Sequence, residues 1–249
     1  MNIFKNFGGS LIILHSALKF YGYIPRINAK KAEGDLEGER KEIAEATAAW
    51  ANHIIKKFNV SFDVRGRENI PDGACVYIAN HQGYADIIAI LKGVEGKQTG
   101  FISKSELSKV PVLNKWVPAI RGIFISRGEA RQSLKVIQEG AEYLKQGFSM
   151  VIFPEGTRSR GPKMGEFKSG SFKLATKALV PIVPVVINGT HKMYEDNDKI
   201  VKGLTATVTF LPPVKTEGLD RKELSALPLM VETMIREELE RQLEEEKNI

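Results

Sequence analysis

The sequence predicts an α/β fold with a largely parallel central sheet of about seven strands flanked by helices, preceded by an N-terminal two-helix hairpin. After residue 60, short runs of β-branched and aromatic residues alternate with segments of helical periodicity, separated by glycine or proline. Such alternation is typical of layered α/β domains with parallel strands. A chain of 249 residues that is 43% hydrophobic can also bury a core of that size.

The N-terminal segment carries an apolar helical face. Its members recur every three or four residues and are Phe4, Phe7, Leu11, Leu14, Leu18 and Tyr21. The uncharged stretch between Lys5 and Lys19 would reach about 20 Å as a helix, whereas the hydrocarbon core of a bilayer is about 30 Å thick. We therefore predict a helix that lies in the membrane interface. Packing on the protein's own core and a single span that includes Lys19 are the alternatives.

A second helical pattern follows the charged stretch from Lys30 to Lys41. It is formed by Ile43, Thr47, Trp50, Ile54 and Phe58. The two helices predict a membrane-associating helical hairpin over residues 1–58, followed by the α/β domain over residues 59–249.

The α/β part contains seven candidate strands and four candidate helices. The strands are expected at residues 60–64, 74–79, 99–103, 122–126, 149–153, 181–187 and 206–211. The helices are expected at residues 84–92, 131–145, 169–179 and 222–246. Pro181 and Pro184 predict that the sixth strand lies at an edge or contains a bulge, because proline cannot donate to the ladder.

Charge and cysteine content narrow the functional classes. The formal net charge is +6, and the segment from Lys97 to Lys177 holds 15 basic and 6 acidic side chains, which predicts an anionic partner. Nucleic acid is not expected, because the aromatic residues lie in apolar runs rather than between basic residues. A single cysteine, Cys75, excludes an internal disulfide.

An imidazole and a carboxylate stand five residues apart after the second strand, in Asn80-His81-Gln82-Gly83-Tyr84-Ala85-Asp86. Gly83 permits the backbone to fold back, so that Asp86 can accept from one ring nitrogen of His81 and leave the other as a proton acceptor. A lone histidine after a strand is commonly structural. The pair nevertheless has the composition of a general base and its orienting group.

Arginines follow two further strands. Arg127 comes after the fourth, and the fifth is followed by Glu155, Gly156, Thr157 and Arg158. Guanidinium groups grip phosphate through paired N–H donors, and hydroxyl and amide groups add to such a site. Many surface arginines bind nothing, but two of them at strand ends beside a His–Asp turn predict a phosphate site.

Four ordered segments together resemble the glycerolipid acyltransferases, best matched by lysophosphatidate acyltransferases of bacterial type. They are Asn80-His81-(four residues)-Asp86, Gly122-Ile-Phe-Ile-Ser-Arg127, Phe153-Pro-Glu-Gly-Thr-Arg158-Ser159 and Val180-Pro-Ile-Val-Pro184. Lys104, in Ser103-Lys104-Ser-Glu106-Leu107, lies in a segment similar to the one ahead of the family's second block. Gly83 stands where the family commonly has serine, and Ser126 where it often has aspartate.

The resemblance implies transfer of a fatty acyl chain from a thioester to the free hydroxyl of lysophosphatidate, giving phosphatidate. His81 and Asp86 would be catalytic. The acceptor would be held by Arg127, Glu155, Gly156, Thr157, Arg158 and Lys104. The donor would be acyl-CoA or an acyl-carrier protein, without a further cofactor or metal. An anionic phospholipid membrane would be the partner, and the enzyme would be peripheral or monotopic on the cytoplasmic face of the cell membrane.

Two alternatives remain at this point. One is a related acyltransferase that uses glycerol phosphate or another lysophospholipid. The other is a non-catalytic membrane-binding module, in which the arginines only neutralise phosphates. Such a module gives no reason for the His81–Asp86 spacing. The chain also lacks Gly-x-Ser-x-Gly, which argues against an esterase with a serine nucleophile.

Overall fold

A computed structural model describes residues 15–16, 18–126 and 130–248. It confirms the α/β class, with a seven-stranded sheet flanked by helices. The strands are β1 Ser61–Arg65, β2 Val76–Ala79, β3 Thr99–Lys104, β4 Ile123–Ile125, β5 Ser149–Ile152, β6 Ile182–Asn188 and β7 Thr205–Phe210.

The sheet is largely parallel, as the sequence predicts. Its strand order is β1-β7-β6-β2-β5-β3-β4, and the antiparallel pair is β6 with β7. Strand β2 is therefore central, between β6 and β5. All four residues of β2 and all seven of β6 are buried, which explains why both segments are continuous apolar runs without alternation.

Strand β6 corrects the prediction that its prolines mark an edge. It pairs with β2 on one side and β7 on the other, and Pro184 lies opposite Ile78 of β2. The carbonyl of Pro184 still accepts a hydrogen bond of 2.9 Å from the Leu211 backbone. Proline removes a donor and keeps its acceptor, so an interior strand can hold it where the acceptor is the group that is used.

Helices cover both faces of the sheet. They are α1 Tyr23–Glu33, α2 Leu36–Phe58, α3 Asp86–Gly93, α4 Leu113–Ala119, α5 Ala130–Lys145, α6 Lys173–Ala178 and α7 Arg221–Lys247. Side chains of β2 alternate between the faces: Tyr77 joins the apolar cluster with α1 to α4, whereas Val76 and Ile78 join the cluster with α5 to α7. The core is thus two apolar layers separated by the sheet.

The N-terminal helix pair is present, but its bounds differ from the predicted ones. Helices α1 and α2 meet at Gly34, whose φ of 72° allows the chain to reverse, and Asp35 caps α2 by accepting from Gly38. The turn thus falls inside the charged stretch that the sequence suggested as a connection. Buried Ile27 and Ile43 place both helices in the same apolar cluster as the sheet.

The predicted membrane-facing helix lies mostly outside the described residues, which include neither Phe4, Phe7, Leu11 nor Leu14. Of the remaining two members, Leu18 is 52% exposed and Tyr21 packs partly against the core. None of the described helices has the length and apolar content that a bilayer crossing requires. Association of residues 1–58 with a membrane stays a prediction.

A buried ion pair fastens α2 to the turn that precedes β4. Both carboxylate oxygens of Glu39 accept from Arg121, each at 2.6 Å, and Glu39 has no exposed surface. The Arg121 guanidinium also lies over the ring of Phe148 at 4.5 Å. A buried ion pair stabilises the fold only while both partners are present, because removing one leaves an uncompensated buried charge.

We expect Glu39→Gln to lower the free energy of unfolding by about 3 kcal/mol, because it leaves the buried Arg121 charge without a counter-charge. Chemical denaturation measures the loss. The matched control is Glu45→Gln, which weakens an exposed pair with Arg26 and should cost less than about 1 kcal/mol. Equal losses in the two variants would show that the Glu39–Arg121 pair does not fasten α2.

Candidate active site

Three neighbouring strands end at one place. Because β6, β2 and β5 are adjacent and parallel, their carboxyl-terminal loops meet at the same edge of the sheet. His81 follows β2, Arg158 follows β5 and Thr190 follows β6. This is the position at which open α/β sheets bind ligands.

The predicted His–Asp pair is formed. His81 Nδ1 lies 2.6 Å from Asp86 Oδ2, and the imidazole stacks on the ring of Phe153 at 4.0 Å between centroids. A carboxylate only accepts, so Nδ1 carries the proton and Nε2 is the acceptor nitrogen. The His81 side chain is 19% exposed, whereas Asp86 has no exposed surface. The result is an oriented imidazole whose carboxylate partner is shielded from water.

Asp86 receives further donors from two sides. The Gly83 backbone N–H donates to its Oδ2 at 2.9 Å, and the Thr190 hydroxyl donates to its Oδ1. Gln82 links the same two loops, because its side-chain oxygen accepts from the Gly189 backbone at 2.9 Å. The β6 loop therefore fixes the carboxylate that fixes His81.

The loop after β5 is bonded to the β2 turn through its backbone. Ser159 N–H donates to the His81 carbonyl at 2.8 Å, and Arg160 N–H to the Gln82 carbonyl at 3.1 Å. Glu155 accepts from the His81 backbone at 2.6 Å and from Gly165 at 2.8 Å. Burial raises the pKa of Glu155, although these two hydrogen bonds favour its charged form.

Arg158 lies beside the His–Asp turn. Its guanidinium stacks over the Tyr84 ring at 3.6 Å, and its Nη1 donates to Glu195 at 2.8 Å. Glu195 also accepts from the Tyr84 backbone N–H at 2.9 Å. Burial raises the pKa of Glu195, while Arg158 acts in the opposite direction. Arg158, the predicted phosphate ligand, thus contacts the turn that carries His81 and Asp86 through the ring of Tyr84.

The other predicted site residues have different surroundings. Gly156 takes a left-handed φ of 68° and a Cβ there would lie 3.0 Å from the Lys168 amine, while Thr157 is exposed. Lys104 pairs with Glu106 at 2.7 Å, at the end of β3 and two strands away from β2. Arg127 lies outside the described residues. The structure therefore brings together His81, Asp86, Glu155 and Arg158.

Sequence reasoning missed Gln82, Thr190 and Glu195. A signal existed for Thr190, because it follows the sixth predicted strand just as His81 follows the second. Glu195 lies further along an irregular loop and had no such signal. Among the residues that the structure describes, no three His, Cys, Asp or Glu side chains are grouped as metal ligands would be.

Comparison with known proteins identifies the family of this chain. The sequence model of a family described as Acyltransferase matches residues 61–188, just over half of the chain. The chain belongs to the acyltransferase family. The matched segment begins in β1 and ends in β6, so it contains the His–Asp turn and the Arg158 loop of this acyltransferase.

Individual relatives share one name. A chloroplastic 1-acyl-sn-glycerol-3-phosphate acyltransferase of Brassica napus is 37% identical over 147 residues, which cover 58% of this chain and 42% of that protein. The human 1-acyl-sn-glycerol-3-phosphate acyltransferase alpha is 33% identical over 179 residues, 70% of this chain and 62% of that protein. This acyltransferase thus spans less than two thirds of the length of these relatives.

A solved structure matches almost the whole chain. It is the crystal structure of the 1-acyl-sn-glycerophosphate (LPA) acyltransferase PlsC from Thermotoga maritima, 27% identical with a TM-score of 0.70. The match covers 94% of this acyltransferase and 97% of that chain. The α/β architecture with its N-terminal helix pair is therefore shared with a solved acyltransferase.

Proposed function

We propose that this acyltransferase moves a fatty acyl chain from a thioester to the free hydroxyl of lysophosphatidate, giving phosphatidate. The observation that carries the proposal is the His81–Asp86 pair, at 2.6 Å, beside the Arg158 guanidinium. A base that activates a hydroxyl and a cation that binds a phosphate are the two functions such an acceptor requires. The names of the relatives give the same acceptor and support this assignment.

The reaction needs one base and no enzyme nucleophile. His81 Nε2 takes the proton of the acceptor hydroxyl while its oxygen attacks the thioester carbonyl carbon. The carbon–sulfur bond then breaks, and the leaving thiolate takes up a proton from the imidazolium. Asp86 keeps the tautomer and stabilises the imidazolium charge, as the carboxylate does in hydrolytic triads. Such general-base catalysis contributes about 10²–10⁴-fold in rate.

Arg158 is assigned to the acceptor's phosphate. A guanidinium has five N–H donors, and the bond with Glu195 uses one nitrogen of the three. The remaining donors suit phosphate oxygens. Arg127 is proposed as a second phosphate ligand from its place after β4, and a glycerol phosphate or another lysophospholipid would present the same phosphate chemistry.

Both candidate donors are anionic. Acyl-CoA and acyl-carrier protein each suit the basic stretch from Lys97 to Lys177, and the proposal includes either donor. The acceptor is an amphiphile held in a bilayer. We therefore propose that the enzyme is peripheral or monotopic on the cytoplasmic face of the membrane, held by its N-terminal apolar face and by basic residues near anionic lipid.

We expect His81→Ala to abolish acyl transfer, because no other group would take the hydroxyl proton. Asp86→Asn should also be severe, since an amide can stabilise the wrong imidazole tautomer. A thioester-release assay with lysophosphatidate measures both variants, and thermal unfolding checks that each remains folded. The proposed chemistry is wrong if the folded His81→Ala protein turns over at the wild-type rate.

Arg158→Ala should lower kcat/KM for lysophosphatidate by a factor that corresponds to about 1.5–3 kcal/mol of transition-state stabilisation. This is the contribution expected of a charge-assisted contact with the phosphate. With monoacylglycerol as the acceptor, which lacks the phosphate, kcat/KM of Arg158→Ala should be close to that of the wild type. Arg236→Ala removes an arginine of α7 that pairs with Glu232, and it serves as the matched control. An equal loss for both acceptors would remove Arg158 from the phosphate site.

Membrane binding should depend on the N-terminal apolar face. Replacing Phe4, Phe7 and Leu11 together by serine should release most of the protein from anionic vesicles, because burial contributes roughly 25 cal/mol per Å². High salt should weaken binding only in part, since basic residues contribute about 1 kcal/mol each. Leu229→Ser, at a leucine of α7 that is 70% exposed, is the matched control.

Co-sedimentation with vesicles measures the membrane-bound fraction of the wild type and of each variant. Equal pelleting of the triple variant and the wild type would refute the proposed anchor. Protease access to the N-terminus from the far side of sealed vesicles would establish a true span in place of interfacial binding.

A further inference from the structure

Glu195 is a buried carboxylate that the proposed chemistry does not use. It follows the 3₁₀ helix Thr190–Met193, and its side chain is only 3% exposed. A carboxylate is costly to bury and is expected to carry a function or a compensating partner. Its partners here are the Arg158 guanidinium and the Tyr84 backbone.

These contacts hold the guanidinium from two directions. Glu195 Oε1 accepts from Arg158 Nη1 at 2.8 Å, and the Tyr84 ring lies under the guanidinium plane at 3.6 Å. The same Oε1 accepts from the Tyr84 N–H at 2.9 Å, so the carboxylate and the ring are tied to each other. An arginine side chain with free rotation loses conformational entropy when it binds a ligand. The two contacts remove that freedom in advance.

The loop that carries Glu195 is itself fixed. The His191 ring donates to Asp196 at 2.8 Å, and the His191 carbonyl accepts from the backbone N–H groups of Tyr194 and Asp196. The Tyr194 ring meets the Tyr84 ring edge-on, with centroids 5.7 Å apart. The carboxylate is therefore presented by an ordered loop rather than by a free side chain.

Gly83 makes room for this carboxylate. A Cβ at Gly83 would lie 2.3 Å from Glu195 Oε2 and 2.8 Å from its Cδ, far inside van der Waals contact. Gly83 is not among the glycines with positive φ, so its backbone does not require a missing side chain. A side chain at this position would therefore have to displace the Glu195 carboxylate.

We propose that Glu195 is the positioning residue for the phosphate-binding guanidinium of Arg158, and that Gly83 is the residue that admits it. The inference rests on the proposed function, because Arg158 is taken to bind the acceptor's phosphate. Together Arg158 and Glu195 carry no net charge. Glu195 therefore orients the N–H donors of Arg158 and does not add electrostatic attraction for the phosphate.

Two substitutions of Glu195 distinguish an effect on the orientation of Arg158 from an effect of the negative charge. Glu195→Ala removes the hydrogen bond and should raise KM for lysophosphatidate about ten- to a hundredfold, the range for a charge-assisted contact, with kcat little changed. Glu195→Gln keeps an oxygen that accepts from Arg158 and Tyr84, so its KM should be equal to the wild-type value or lower. KM for the acyl donor should be unchanged in both variants.

Asp198→Asn is the matched control. Asp198 lies on the same loop with an exposed side chain, beside Arg158 and Tyr194. The substitution removes one negative charge near the site without touching the Arg158–Glu195 bond. It should leave KM within about twofold of the wild-type value, as expected for a screened surface charge.

A double-mutant cycle tests the role of Gly83. Gly83→Ala in the wild-type background should raise KM as Glu195→Ala does, because the added methyl group displaces the carboxylate. In the Glu195→Ala background the three atoms nearest to the added methyl group are gone, so the same change should cause no further rise. Strong non-additivity is the expected sign of two residues that share one volume.

The proposal is overturned if Glu195→Ala keeps the wild-type KM, if Glu195→Gln is impaired as much as Glu195→Ala, or if the two losses in the cycle add. Thermal unfolding identifies a variant that does not fold, and Glu195→Gln and Gly83→Ala then still decide the question. If the wild type transfers no acyl chain to lysophosphatidate, the proposed function has failed. Normal wild-type activity with an unaltered Glu195→Ala KM overturns the positioning role alone.

Discussion

The Asp86 carboxylate is sealed from solvent, and the loops around it are arranged to supply the hydrogen-bond donors that water would otherwise provide. Two donors come from its own turn, the His81 ring and the Gly83 backbone, and the third is the Thr190 hydroxyl from the β6 loop. This set of donors therefore requires that two neighbouring strands of the sheet, β2 and β6, end at the same edge. The parallel pairing of β2 with β6 is what meets that requirement.

Three buried carboxylates lie near one imidazole and one guanidinium, and each has different partners; Glu195 Oε2 has no hydrogen-bond partner among the described residues. Asp86 binds the imidazole, Glu155 binds backbone N–H groups and Glu195 binds the guanidinium. Burial raises the pKa of both glutamates, and it is opposed at Glu155 by backbone donors and at Glu195 by the Tyr84 N–H and Arg158. The three carboxylates thus differ in what they hold: Asp86 orients the His81 imidazole, Glu155 joins two loops and Glu195 binds the Arg158 guanidinium.

The sequence predicted the parts of the site that are local in the chain. His81 and Asp86 are five residues apart, and Glu155 and Arg158 lie in one loop, so a strand end and a short turn suffice to place them. The contacts of Asp86 with Thr190 and of Tyr84 with Glu195 join residues 104 and 111 positions apart, and only the tertiary fold brings these together. Runs of β-branched and aromatic residues likewise predicted all seven strands, but such runs indicate burial and not strand direction, so they could not reveal the antiparallel β6–β7 pairing.

The N-terminal helices bear on how the site meets its substrate. The buried Glu39–Arg121 pair joins helix α2 to the turn before β4, and α1 and α2 share an apolar cluster with Tyr77 of β2. A flexible tether would let the catalytic loops adopt any distance from a bilayer. In the proposed membrane-bound state, helices that are part of the core would instead hold those loops at a defined distance from the lipid surface. The packing of α2 and the contacts of Arg158 thus have the same physical consequence. Both order their groups before a substrate binds, which lowers the entropy that binding costs.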